Sequence, residues 1–199
     1  YESMFSKMVV DCACSKITAV NVGVKVNKLL QVGAGFIYGE DEAVAPLDNA
    51  PRYNAMIETI DAASNKVIVF APFKFTVKDL YARLLNDGYD VAAIHGDVKK
   101  RDRDEIFRKF QNTEDIQIIV AHPQTMAHGL TLTAANTIGW FAPLSNLEIV
   151  DQANARITRP GQKQHTLIVH IQATGTEKRV YNILRNRLTS QDNLLSLFQ

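Results

Sequence analysis

From Lys66 onward the chain alternates short, unbroken apolar runs with segments of helical spacing, and this alternation restricts the fold more than any other feature. Val67-Ile68-Val69-Phe70-Ala71 is a run of strand length, bounded by Lys66 and Pro72. Val77 to Leu85 follows with helical spacing and is closed by Asp87-Gly88. The order then continues with a strand at Val91 to Ile94, a helix at Val98 to Phe110, strands at Ile116 to Ala121 and Thr137 to Phe141, and a helix at Leu147 to Ile157. A strand at Thr166 to Ile171 and a helix at Thr176 to Leu188 complete it. Strands without a polar face must be covered on both sides, which indicates an α/β fold with a parallel sheet between helices. With about five strands the expected form is an open doubly wound sheet rather than a closed barrel. Function is then expected in the loops after the strands' carboxyl ends: Pro72-Phe73-Lys74, His95-Gly96-Asp97, His122 to Gly129 and Ala142 to Asn146.

The first 65 residues read differently, as a helical lead-in and a turn region. Val26, Leu29 and Leu30 have near-helical spacing; Gly33, Gly35 and Gly39 then break the pattern around a short strand or hairpin at Phe36-Ile37-Tyr38. A loop at Pro46 to Pro51 precedes a helix from Arg52 to Ala63, with Tyr53, Met56, Ile57 and Ile60 on one face. The expected division is a lead-in at 1–65, a main domain at 66–190 and a tail at 191–199.

Composition narrows the function classes. The 22 basic residues nearly balance the 21 acidic ones, and 46% of the chain is hydrophobic, which describes a soluble globular protein. No run reaches the roughly 18 apolar residues of a membrane span, and the first residues lack the pattern of a secretory signal, so export and membrane insertion are not expected. The chain opens on Tyr1, which suggests a piece of a longer polypeptide. Two cysteines two positions apart, Cys12 and Cys14, make neither a disulfide framework nor a full zinc site, and read as reduced thiols. Charge is uneven: residues 1–65 hold 5 basic and 8 acidic side chains, residues 66–199 hold 17 and 13, so an anionic partner belongs on the second part.

Within it, Arg156 and Arg159 stand three apart before Pro160-Gly161. If the helix continues through them, they share a face. Two readings fit: exposed arginines favourable to a helix C-terminus, or a clamp of planar donor forks suited to phosphoryl oxygens. His95, His122 and His128 are too irregularly spaced for a compact metal signature, and no metal site is expected. The mixed run Lys99 to Lys109 reads first as a solvated helix face with i,i+3 and i,i+4 pairs, with nucleic-acid contact as the alternative.

The pattern Q-x3-R-x2-R-x-G-Q, spanning Gln152 to Gln162, resembles motif VI of superfamily-two helicase-like ATPases in the form used by Swi/Snf-type DNA translocases and their phage and bacterial relatives. Other motifs of that family's second RecA-like lobe follow in order. Lys66 to Phe73 is similar to motif IV, Ala93 to Asp97 to the short element after it, and His122 to Thr133 to motif V. Gly175 to Val180 resembles the closing helix, and Leu29 to Tyr38 the segment preceding the lobe. The resemblance covers roughly Lys28 to Leu184, and its strength is the ordered set. It departs at Thr131, where the family commonly has Asn or Asp.

The resemblance implies a RecA-like helicase C-terminal lobe whose Arg156 and Arg159 are arginine fingers, acting on ATP and Mg2+ held mainly by an N-terminal RecA-like lobe outside this chain. It implies that Gln152 supports that motif, that Gly129 lies at the nucleotide, and that Phe73, Lys74, His95, Gly96, His122, Gln124 and Thr125 grip nucleic acid, expected to be double-stranded DNA, by its backbone. The chain has no G-x4-G-K-[ST] and no acidic pair after an apolar strand, Asp41-Glu42 lying in a polar loop, so it is expected to be inactive as an ATPase alone. The expected setting is the cytoplasm of a bacterial or phage-infected cell, or the nucleus if eukaryotic. Two alternatives remain: a DEAD-box-type RNA helicase lobe, which would carry H-R-x-G-R-x-G-R where this chain has Gln152 and Gln162, and a non-catalytic RecA-like module that binds nucleic acid or protein.

Overall fold

The computed structural model describes residues 9–12, 15–18, 22–39, 43–126 and 131–186. Gly129, His128, Asp41-Glu42 and the tail at 191–199 lie outside the described residues. The chain divides into two compact units, residues 1–53 with 172–199, and residues 54–171.

In the first unit β1 (Val9–Cys12) pairs antiparallel with β2 (Ser15–Thr18). Helix α1 (Val22–Gly33) buries Val26, Leu29 and Leu30, as their spacing predicts. The break after it is a turn at Gly35, whose φ of +92° and whose missing Cβ, which would lie 2.4 Å from Asn49 Cβ, both require glycine. Strands β3 (Phe36–Tyr38) and β4 (Val44–Pro46) then pair antiparallel. Helix α2 (Ala50–Asp61) begins here and carries on into the second unit.

The second unit is the parallel sheet. Its elements are β5 (Lys66–Phe70), α3 (Lys74–Asn86), β6 (Val91–Ile94), α4 (Lys100–Asn112), β7 (Ile118–Ala121), a 3-10 turn at Pro123–Met126, β8 (Ala135–Trp140), α5 (Leu147–Asn154) and β9 (Leu167–His170). The strand order is β6-β7-β5-β8-β9, and all pairings are parallel. Every residue of β5, β7 and β8 is buried, which is why Val67 to Phe70 and Ile118 to Ala121 read as unbroken apolar runs, while β8 also buries Asn136 and Thr137. The edge strands differ: β6 alternates half-buried with buried positions, and β9 exposes Leu167. The helices close on the sheet through Leu80 and Leu84 of α3, Phe107 and Phe110 of α4, and Val150 and Ala153 of α5. Gly139 in β8 makes room for Met56 of α2, since a Cβ there would lie 2.7 Å from the Met56 sulfur. Phe70 and Trp140, paired on adjacent strands, pack with tilted rings whose centroids are 4.9 Å apart, and the Trp140 indole N–H donates to Asn154 Oδ1 at 2.9 Å.

At the amino end of β5, Lys66 is a buried cation. Its Nζ donates to the carbonyls of Phe110, at 2.9 Å, and Thr113, and lies 5.5 Å from the Phe110 ring centroid. It thus satisfies carbonyls at the C-terminal end of α4, where a positive charge also suits the helix dipole.

The sequence-based extent of α5 needs correction. The sequence spacing predicts a helix from Leu147 to Ile157, with Arg156 and Arg159 on one face if it continues, but α5 ends at Asn154. Arg156 N and Ile157 N bond to Ala153 O and Asn154 O, three residues back, while Arg156 O accepts from Leu132 N at 3.1 Å. That cross-link to the segment before β8 pulls the chain off the helix, and both arginines sit in the turns beyond it.

In the first unit, α6 (Gly175–Arg185) opens with a capping box: Thr174 accepts from the Glu177 N–H, and Glu177 accepts from the Thr174 N–H at 3.0 Å. Glu177 also receives Arg52, whose Nη2 lies 2.6 Å from each carboxylate oxygen. Both side chains are nearly inaccessible, at 2% and 0% exposure. Gly33 faces the same carboxylate, where a Cβ would come within 2.9 Å of Glu177 Oε1. Among the described residues no helix is long and apolar enough to cross a membrane.

Candidate functional site

All candidate residues that the structure describes belong to the second unit, and they fall at two opposite edges of its sheet. At the carboxyl edge, the loops after β5, β6 and β7 are tied to one another. The chain reverses direction across the sheet beside β5, whose neighbours β7 and β8 come from different parts of the sequence. This is the crevice position expected for a ligand in a doubly wound fold. His122, just after β7, receives the Gln124 N–H at Nδ1 (3.3 Å) and faces the Pro72 carbonyl with Nε2 at 3.1 Å. A neutral ring with its proton on Nε2 satisfies both contacts. Burial pushes the His122 pKa down, opposed by the Pro72 bond, in keeping with that neutral state. Thr125 donates its hydroxyl back to His122 O at 2.6 Å, which fixes the 3-10 turn.

His95 and Lys74 meet one loop over. His95 Nδ1 accepts the Asp97 N–H at 3.3 Å. Its pKa is lowered, by burial first and then by the Lys78 charge. Lys74 Nζ lies 2.5 Å from Asp97 Oδ2 and Lys78 Nζ lies 3.5 Å from the same oxygen. The hydrogen bond from Lys74 holds the Asp97 carboxyl below its usual range, with Lys78 contributing. Lys74, Gly96 and Gln124 are exposed, and Phe73 is half-buried as the N-cap residue of α3. The edge therefore offers ammonium, amide and hydroxyl groups, chemistry that suits phosphate oxygens and carries no base code.

The arginine loop lies at the other edge. Because α5 runs back from the carboxyl end of β8, the residues between it and β9 return to the amino edge of the sheet. Arg156 is only 3% exposed, and its pKa is lowered by burial and then by the neighbouring Arg159 charge. Arg159 is half-buried; its Nε donates to Ala155 O at 3.0 Å and its Nη1 to Thr131 Oγ1 at 3.3 Å. Gln162 pins the loop, donating from Nε2 to Ala135 O at 2.8 Å, with Ile157 O and Thr133 O at 3.3 and 3.4 Å. Gly161, at φ +101°, makes the turn between them. A buried guanidinium, Arg156, with a second cation beside it forms a place where an anion would relieve the repulsion.

The structure thus brings Arg156 and Arg159 together, and Lys74 together with His95. Gln152 is placed apart from the guanidiniums' bonding partners: its amide donates to Glu148 Oε1 at 3.1 Å, one turn back on α5. The charged face of α4 is exposed as its pattern predicts, with Arg108 bonded to Glu105 at 2.7 and 2.8 Å. Lys78 is not marked by any motif, and Asp97, Thr131 and Gln162 stand in the sequence only as members of a loop or motif, with nothing to show the contacts they make here. For Lys78 the signal is its four-residue spacing from Lys74. Among the described residues no group of three or more His, Cys, Asp or Glu side chains is arranged to hold a metal ion.

The five-stranded parallel sheet flanked by helices is the fold of a RecA-like helicase C-terminal lobe. It overlays the C-terminal part of the Fun30 ATPase domain with a TM-score of 0.63 at 19% identity, covering 74% of this chain and 53% of that one. Residues 51–161, more than half of the chain, match the helicase conserved C-terminal domain, and the chain belongs to that family. Among sequence relatives, the SNF2 domain-containing protein ENL1 of Oryza sativa subsp. japonica is 23% identical over 130 residues, 65% of this chain and 13% of its own length. The ATP-dependent RNA helicase DBP2 of Saccharomyces cerevisiae is 29% identical over 121 residues, 60% of this chain and 22% of its own. The chain therefore spans between about an eighth and a quarter of the length of these relatives.

Proposed function

We propose that the chain is the second motor lobe of an ATP-dependent DNA translocase of Swi/Snf type. The observation that carries this is the loop after α5, where the Arg159 side chain bonds to Ala155 and Thr131, the Arg156 carbonyl is tied to the segment before β8, and the Arg159 charge acts on the buried Arg156. Always charged and fixed in a planar fork, guanidiniums stabilise negative charge that develops on a phosphoryl group, an effect of about 10³–10⁵ in rate when supplied by an arginine finger. ATP and Mg2+ are assigned to an N-terminal RecA-like lobe, and the cationic pair here fits the polyphosphate end of such a ligand. Gly129 and Gln152 are kept as nucleotide-side residues, and residues 66–190 as the lobe, with 1–65 as its lead-in.

At the opposite edge, Phe73, Lys74, His95, Gly96, His122, Gln124 and Thr125 grip a nucleic-acid backbone. His95 and His122 act there as neutral, internally bonded supports of the loops, and Lys74 as the charged contact. Swi/Snf type is supported by Gln152 and Gln162 flanking the arginines and by the likeness to the SNF2 domain-containing relative. A lobe acting on RNA is the second reading, supported by the likeness to the RNA helicase.

In the two-lobe protein, Arg156→Ala or Arg159→Ala should lower DNA-stimulated ATP turnover by at least ~10² while leaving DNA affinity within a few-fold. Turnover near the parent value in both variants would refute the finger assignment. Stimulation by RNA in preference to duplex DNA would move the substrate to the second reading.

A further inference from the structure

Lys74 and Lys78 occupy the first two turns of α3, four residues apart. Cations at a helix N-terminus oppose the helix dipole, and the first turn of α3 holds no acidic residue to offset them. What offsets them comes from another loop. Asp97, beyond β6, places a single oxygen, Oδ2, 2.5 Å from Lys74 Nζ and 3.5 Å from Lys78 Nζ. The other titratable group facing it, His95, is 3.8 Å away through Nδ1, but that nitrogen accepts the Asp97 N–H and adds no positive charge.

One carboxylate oxygen shared by two ammoniums leaves a net positive charge and an acceptor where a phosphate oxygen would bind. The groups are open to exchange: Lys74, Lys78 and Asp97 are 50%, 53% and 52% exposed. Ion pairs this exposed are weak and are lost readily to a competing anion. A phosphate in a polyanion brings a second advantage, since each lysine that neutralises it releases condensed counterions.

We infer that Asp97 is a built-in competitor for the nucleic-acid backbone: it holds Lys74 and Lys78 in the free protein and yields both to one phosphate when a strand binds. This rests on the nucleic-acid reading above and adds to it Lys78 as a contact and Asp97 as the group that weakens binding. Such a competitor keeps the grip reversible, as a lobe that must release and re-engage its track requires.

The test is equilibrium binding of the whole chain to a fluorescent duplex, a single-stranded DNA and a single-stranded RNA, measured from about 20 to 200 mM salt. Asp97→Asn should tighten binding about 3–10-fold at the low-salt end, and Lys78→Gln should weaken it and make the salt dependence shallower by up to about 0.9 in log–log slope. The tightening should vanish when Asp97→Asn is placed on a Lys74→Gln/Lys78→Gln background. Tightening that survives there is a general charge effect and overturns the inference. Binding by the parent chain that Asp97→Asn leaves unchanged or weakens also overturns it, while leaving the nucleic-acid reading intact. No binding of any of the three probes by either protein overturns both.

Discussion

The Arg52–Glu177 pair gives a direct measure of what holds the first unit. Replacing Arg52 with Met keeps most of the side-chain volume and removes the cation. Glu177 is then left with 0% exposure and without the nitrogen that lay 2.6 Å from both its oxygens. Breaking a buried ion pair from one side costs about 3–5 kcal/mol, mostly for the charge left behind. Here Glu177 keeps the N–H groups of Ala173 and Thr174, at 2.9 and 3.0 Å, so the lower part of that range applies. A loss of about 3 kcal/mol corresponds to roughly 6–12 °C in Tm for a chain of this size. Thermal unfolding followed by circular dichroism, with urea titration as the equilibrium measure, reads the effect. The double variant Arg52→Met/Glu177→Gln should be more stable than Arg52→Met, because glutamine retains a cap acceptor without the buried charge. A Tm for Arg52→Met within about 2 °C of the parent, or a double variant less stable than it, would refute the reasoning.

Lys66→Met should lower stability by about 2–4 kcal/mol, since it strands the carbonyls of Phe110 and of the α4 C-cap residue Thr113, which now accept from a charged donor; a urea midpoint equal to the parent's would show that water replaces the ammonium. Gly139→Ala should cost about 1–3 kcal/mol by pressing on Met56, and Met56→Ala in the same chain should recover part of it, as a double-mutant cycle will show. His122 sets a pH dependence. Its folded-state pKa is held below the ordinary 6.5, so the unfolded chain takes up the proton first, and stability present above 6.5 declines as pH falls through the folded value. Urea midpoints at pH 7.5 and 5.5 should fall with acidification, and His122→Gln should flatten the difference; an unchanged slope would dissociate it from His122.

Burial on both faces is what made the sheet legible. β5 and β7 have no polar side to confuse with a helix pattern, and their positions follow from apolar runs alone, whereas Asn136 and Thr137 hide the first half of β8. The strands β1 and β2 gave no such signal, because Val9-Val10-Asp11-Cys12 and Ser15-Lys16-Ile17-Thr18 are short and mixed. The end of α5 was misplaced for a non-local reason: Leu132, over twenty residues earlier, takes the Arg156 carbonyl. Lys66 reads in sequence as the polar boundary of a strand, and only the fold puts the end of α4 above it. Of the candidate residues, the loops of the carboxyl edge were placed by topology. Their partners, Asp97 for Lys74 and Pro72 for His122, meet through tertiary contacts that no spacing encodes.

The strand order has a further consequence during synthesis. β5 sits at the centre of the sheet, yet both its neighbours come later: β7 begins about fifty residues after it and β8 about seventy. At about 5–20 residues per second, Lys66 to Phe70 would wait roughly 2–10 s before its first partner strand emerges from the ribosome. Through that interval an apolar, β-prone pentapeptide carries unpaired backbone on both sides, the kind of segment that pairs with other chains. Misassembly of newly made protein should therefore begin at this strand, and depend on how quickly residues 118–121 arrive to cover it.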